Sequence, residues 1–287
     1  MLFLLLAAIP CIVNPAGAGM EFCPNPASSE EWEKLPAPGM TIGIRGAGTA
    51  SATRAPWVDS NGWRFLRNPG GKYLYEPVKG KAALAAAEAF AFGADARLQV
   101  APEDLKPLSG LLAFFRSLPG VAGLVPATNI AVVDSGSKAI PEAINLMVRR
   151  NLLCRVVSAP DPAADLNVRI GSPEFPEEEA GNPVAVADKA RKLLTDRKRL
   201  LRIYGTEVVI GRLYARDGRA RLHLLNYSSG SVMGIRVRVR GNYRGVRLTV
   251  FGFEGAKAED VVVQNEAIEF TVPEMGTYAV VDFNRSE

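Results

Sequence analysis

The residues of this chain best suited to chemistry sit in residues 55–66, APWVDSNGWRFL. Trp57, Asp59, Asn61 and Trp63 fall at alternate positions there, and alternate residues of an extended segment point to one side. Flat indole rings beside a carboxylate and an amide make a sugar-recognition set. The ring stacks on the apolar face of a pyranose, while Asp59 and Asn61 hydrogen-bond its hydroxyls. The competing reading packs both tryptophans in the core and makes Asp-Ser-Asn-Gly a turn.

A second set lies where three expected strands end: Asp134, Ser135 and Ser137, then Ser158 and Asp161, then Ser172 and Glu174. Ligands of open parallel sheets bind beyond the carboxyl ends of the strands, although these residue types also make ordinary turns and caps. Asp134 and Ser135 therefore join Trp57, Asp59, Asn61 and Trp63 as the candidate ligand-binding residues. Glycoside hydrolysis needs two acids about 5–10 Å apart across a cleft. Asp59, Asp134, Asp161 and Glu174 are conceivable members, but sequence spacing does not pair them, so no catalytic residue is assigned.

Other chemistries find little material. The single histidine, His223, falls inside an expected sandwich strand, and no GxSxG elbow is present. One His and few, widely separated Cys are a poor supply for zinc, and there is no EF-hand loop. Neither GxGxxG nor a phosphate loop occurs. No metal and no cofactor are expected, and the balance leans away from an enzyme. The net charge of +4 is spread along the chain, too weak a signal for a nucleic-acid partner.

The elements that must position these residues follow from hydrophobic periodicity. Residues 129–172 carry the organising unit. NIAVVD reads as a strand buried on both faces. A helix follows with Pro141 in its first turn and Ile140, Ala143, Ile144, Met147 and Val148 on one face. LLCRVV and LNVRI then supply two more strands, which makes Cys154 a buried core thiol. Before this unit, residues 79–92 predict an Ala-rich helix ended by Gly93, residues 94–100 a strand and residues 102–118 a helix. After it, residues 182–194 predict a helix and residues 200–204 the last strand of the α/β part. From Thr206 the period becomes two, with Arg216-Asp217-Gly218 marking a hairpin, and alternating strands point to a β-sandwich.

The organisation expected is a signal peptide over residues 1–18, an extended lead-in over 19–55, an α/β domain over 56–205 and a sandwich over 206–287. The apolar run MLFLLLAAIPCIV followed by Ala-Gly-Ala fits a secretory signal cleaved after Ala18, and it is too short for a membrane span. Secretion, or a periplasmic location, follows. Cleavage would leave Cys23 and Cys154, which is not a disulfide scaffold.

The order of strands, helix and sandwich over residues 129–205 resembles the class I glutamine amidotransferase-like α/β domain of multidomain secreted glycoside hydrolases. There it resembles the trimerisation module of β-galactosidases, followed by a small β-sandwich. WVDSNGW with the helix AALAAAEAFAFGADARL looks like the closing portion of a preceding (β/α)₈ barrel. A whole barrel takes about 200–250 residues, whereas about 110 lie between Ala18 and Asn129. The family's catalytic acids belong to that barrel, so none transfers to this chain. The resemblance implies a flavodoxin- or amidotransferase-like parallel sheet with a small antiparallel sandwich after it, and no glutaminase activity. Three functional readings remain: a non-catalytic accessory protein binding oligosaccharide or a protein partner, a homo-oligomerisation module without small ligand, and a reduced glycoside hydrolase.

Overall fold

The computed structural model describes residues 11–13, 32–41, 57–121 and 123–284. Most of the expected signal segment, Cys23 and most of the expected lead-in lie outside them.

The amino-terminal half is α/β. Strands β1 (Cys11–Val13), β2 (Glu33–Leu35), β3 (Gly39–Thr41) and β4 (Trp57–Asp59) precede helix α1 (Gly62–Arg67) and strand β5 (Lys72–Tyr75). Helix α2 (Ala82–Phe92) then leads to β6 (Asp95–Gln99) and α3 (Leu105–Ser117). Strands β1, β6, β5 and β2 form a parallel sheet in that order, and β3 pairs antiparallel with β4. Gly93 ends α2 in the left-handed conformation, φ +63°, as its lack of a Cβ permits. The short side chains of α2 let it be buried almost all round, against β6, α1, α3 and the sandwich, which is how a uniformly apolar helix must sit.

The organising unit forms as its periodicity predicts. After β7 (Val125–Pro126), strand β8 (Ile130–Val133) leads through α4 (Ile140–Arg149) to β9 (Cys154–Val157) and β10 (Leu166–Val168). These strands make a three-stranded parallel sheet, β10-β8-β9. Pro141 lies in the first turn of α4, and Cys154 is buried, its thiol pushed up to about 11 chiefly by burial. Helix α5 (Pro183–Lys198) packs on α4.

The carboxyl-terminal half is an antiparallel sandwich. Its strands are β11 (Leu201–Tyr204), β12 (Val209–Arg216), β13 (Arg219–Asn226), β14 (Val232–Arg240), β15 (Gly245–Val250), β16 (Glu259–Gln264), β17 (Ala267–Met275) and β18 (Tyr278–Asn284). One sheet runs β11-β14-β17-β16 and the other β15-β18-β13-β12-β7. The β12–β13 turn places both Asp217 and Gly218 at positive φ, the geometry of a two-residue hairpin loop whose twist suits the strands. The chain is thus an α/β unit followed by a β-sandwich.

Two expectations are corrected. Residues 201–204 do not close the parallel sheet: Leu201 and Ile203 pair with Val239 and Val237 of β14, antiparallel. Strand β7, in the segment between α3 and β8, also joins the sandwich by pairing with β12. Nor do residues 57–63 form one extended segment, because the strand stops at Asp59 and α1 begins at Gly62. A Cβ on Gly62 would lie 2.4 Å from the Phe92 ring, so this glycine lets α1 settle against the end of α2.

One hydrophobic core lies between the sandwich sheets. The other is shared, joining α2, α3 and α4 to Ile210, Leu225, Tyr227, Tyr278 and Val280 of the five-stranded sheet and its margin. At the shared core Phe90 stacks on Phe115 with centroids 4.0 Å apart, and Tyr278 meets Phe115 edge-on. His223, 5 % exposed, lies edge-on to Phe90 with Nδ1 against the Tyr278 hydroxyl. Burial, then Arg221 and Arg212, lowers its pKa from 6.5 to about 3. Below pH 6.5 the unfolded chain takes up a proton that the folded chain refuses, so stability falls as pH drops from about 6.5 towards about 3. Denaturant unfolding at about pH 7 and about pH 5 should show the native chain losing roughly 2 kcal/mol more than His223→Gln. Equal losses would mean that His223 is not held neutral.

Candidate functional site

Between α1, α2 and the sandwich the structure gathers part of the predicted set around a residue that sequence reasoning passed over. Glu88, in the middle of α2, is 0 % exposed. Its Oε1 accepts from Ser60 Oγ (2.9 Å), the Asn61 backbone N–H (2.8 Å) and the Tyr227 hydroxyl (2.6 Å). Its Oε2 accepts from Asn61 Nδ2 (3.1 Å) and from the Tyr75 hydroxyl. Burial and then the Glu88 charge push both phenols, Tyr75 and Tyr227, well above the usual tyrosine range. They serve as permanent donors. The signal that was available is the single acid in the otherwise apolar helix AALAAAEAFAF.

The predicted ligand residues take different places around this network. Asn61 is buried, 2 % exposed, and committed: its Nδ2 also reaches Pro36 O (3.1 Å), and its Oδ1 accepts from Arg64 (3.0 Å). Trp63 is half-buried, packs on the shared core and has the Arg64 guanidinium 4.3 Å from its ring centroid. Asp59 is exposed and has no ion pair among the described residues. The Trp57 backbone pairs with Thr41 in β3, and its side chain lies outside the described residues.

Helix α1 also connects to the second set. Arg67, in its last turn, reaches Asp134 through Nε (2.6 Å) and a second nitrogen (3.4 Å). Asp134 additionally accepts from Gly136 N–H (2.9 Å), while Ser135 is exposed. Asp161 pairs with Arg155 and accepts from Ala163 N–H (2.8 Å). The Arg67 hydrogen bond holds Asp134 below the usual carboxylate range, and Arg155 does the same for Asp161. Both acids are therefore kept as anions, unsuited to donating a proton. Ser172 closes a local turn by accepting from Phe175 N–H (3.2 Å), and Glu174 is exposed. Among the described residues no group of three or more His, Cys, Asp or Glu is placed to hold a metal ion, and no helix is long and apolar enough to cross a membrane.

No protein-family model matches the chain, and no curated protein matches it. Among solved structures it is similar to an α-L-fucosidase isoenzyme 2 from Paenibacillus thiaminolyticus, with TM-score 0.56 and 10 % identity over 78 % of this chain. The chain spans 62 % of that structure's length. A GH30 endoxylanase from Clostridium papyrosolvens C71 aligns at TM-score 0.22 and 10 % identity, covering 84 % of this chain and 75 % of that one. The fucosidase similarity shows a shared fold: small parallel sheets with helices, then antiparallel sheets.

The two carboxylate sites differ in what they hold. Glu88→Ala leaves buried hydroxyl and amide donors without an acceptor and should cost about 3–5 kcal/mol of unfolding free energy. Asp134→Asn removes a partly exposed pair and should cost less than about 1 kcal/mol. Urea denaturation of both variants measures the contrast.

Proposed function

We propose that this chain is a secreted, non-catalytic accessory unit of carbohydrate handling, binding neutral oligosaccharide beside the exposed Asp59 rather than hydrolysing it. The observation that carries this reading is the commitment of Asp134, Asp161 and Glu88. Asp134 and Asp161 are each held by an arginine, and Glu88 is buried among donors from its own chain. Each is thus engaged by its own chain, whereas glycoside hydrolysis needs two acids free to act across a cleft. The fold shared with a fucosidase supports the carbohydrate part of the reading, and fold alone does not confer the activity.

The edge strand β16 supports a second reading, homo-oligomerisation. It presents Val261, Val262 and Val263, 45, 41 and 51 % exposed, at the outside of the four-stranded sheet. An apolar edge with unpaired backbone groups is a template for another chain.

Calorimetric titration with a panel of neutral oligosaccharides is the direct test. Binding weakened about tenfold by Asp59→Ala and by Trp63→Ala, with unchanged circular dichroism and no release of reducing sugar, is the expected result. Release of reducing sugar by the native chain overturns the non-catalytic part. No heat with any glycan, together with a dimer that Val262→Lys converts to monomer in sedimentation, transfers the function to the β16 edge.

A further inference from the structure

A separate cleft of about 380 Å³ opens between the connector that follows α3 and one end of the five-stranded sheet. That volume is at the small end of the ~300–1,000 Å³ range of ligand pockets. One wall is apolar, made by Pro119, Val121 and Leu124. The other is polar and comes from three adjacent strands: Arg219 and Arg221 of β13, Asp282 of β18 and Arg247 of β15.

The register explains the charge. Asp282 lies directly opposite Arg221 on one side and Arg247 on the other. Arg221, 2 % exposed, takes both oxygens of Asp282, at 2.6 and 2.9 Å. That bidentate pair is complete. Arg247 lies opposite the same carboxylate but is exposed and has no hydrogen bond or ion pair among the described residues. Among the described lining residues, Arg247 therefore adds a guanidinium that the complete Arg221–Asp282 pair does not neutralise.

We propose that this cleft binds a small organic carboxylate, with a uronic acid the class that its two walls match. Arg247 receives the carboxylate, as the planar guanidinium fork does in general. The apolar wall takes the C–H face of the ring, and Asn284 at the cleft edge offers an amide to hydroxyls. Asp282 tempers the positive field, which favours a monoanion over sulfate or phosphate. The cleft is lined by none of the residues around Glu88 or in residues 57–63, so this inference is independent of the neutral-oligosaccharide reading.

Titration of the full chain with glucuronate, glucose, sulfate and N-acetylalanine tests it. Glucuronate should bind and glucose should not. Arg247→Ala should weaken glucuronate roughly 10–100-fold, and Arg247→Lys should restore part of the loss. Arg247 is exposed, so both variants should keep the native circular dichroism. Equal glucuronate binding by the native chain and Arg247→Ala overturns the proposal, as does no binding of any carboxylate. Stronger binding of sulfate overturns the monoanion preference. Binding of N-acetylalanine alone overturns the uronate assignment in favour of a peptide carboxylate.

Discussion

The buried Glu88 carboxylate is the constraint on which the rest of the structure depends. A carboxylate taken out of water is costly unless its lone pairs are met by donors. Those donors come from three places far apart in sequence: Ser60 and Asn61 before α1, Tyr75 at the end of β5, and Tyr227 just beyond β13. None can be withdrawn cheaply. The α1 entry, the parallel sheet and the sandwich must therefore all be in place for α2 to be buried at all. Replacing such a cluster by well-packed apolar groups is often neutral or stabilising in other proteins. The network accordingly matters here as a geometric lock more than as a source of stability.

The lock also settles what becomes of the WVDSNGW stretch. Alternation of Trp, Asp, Asn and Trp describes one side of an extended strand only while the backbone stays extended. Here the Asn61 N–H and amide are both drawn to Glu88, and the chain turns into α1 one residue later. Helix α1 then becomes a strut, anchored on Glu88 through Asn61 at one end and on Asp134 through Arg67 at the other. Two groups of residues that the sequence offers as ligand contacts are in this way joined through the scaffold. Of the candidate residues whose side chains are described, Asp59 and Ser135 are left facing solvent.

Legibility in the sequence followed the range of the signal. The β8–α4–β9 unit, the α2 helix with Gly93 and the β12–β13 hairpin were readable because periodicity, caps and turn residues act over a few positions. Strand β11 was recognisable as a strand, yet its partner β14 lies beyond two intervening strands, and four residues carry no mark of which sheet they join. Strand β16 escaped because its valines are exposed and show no alternation of burial. Glu88 was legible as an anomaly, an acid among alanines, but nothing in the sequence marks Tyr75 or Tyr227 as its partners until the fold brings them together. The cleft around Arg247 depends on register across three strands, which sequence alone does not fix.

Strand β13 and the residue beyond it show how the two halves hold their alignment. Arg221, His223, Leu225 and Tyr227 follow one another at the alternate spacing of a single strand face. Arg221 clamps Asp282 beside the cleft, His223 meets Phe90, Leu225 enters the shared core and Tyr227 closes on Glu88. The seam is thus polar at both ends and apolar and aromatic between. Apolar side chains alone would tolerate sliding, since hydrophobic attraction has no direction. Sliding here would separate Tyr227 from Glu88, leaving a buried carboxylate short of a donor, a penalty that rises within an ångström or two because hydrogen bonds are short-ranged. A seam of this kind favours a fixed relation between the α/β half and the sandwich over the opening and closing that many enzymes use to exclude water. Recognition on such a body would rely on surfaces already formed.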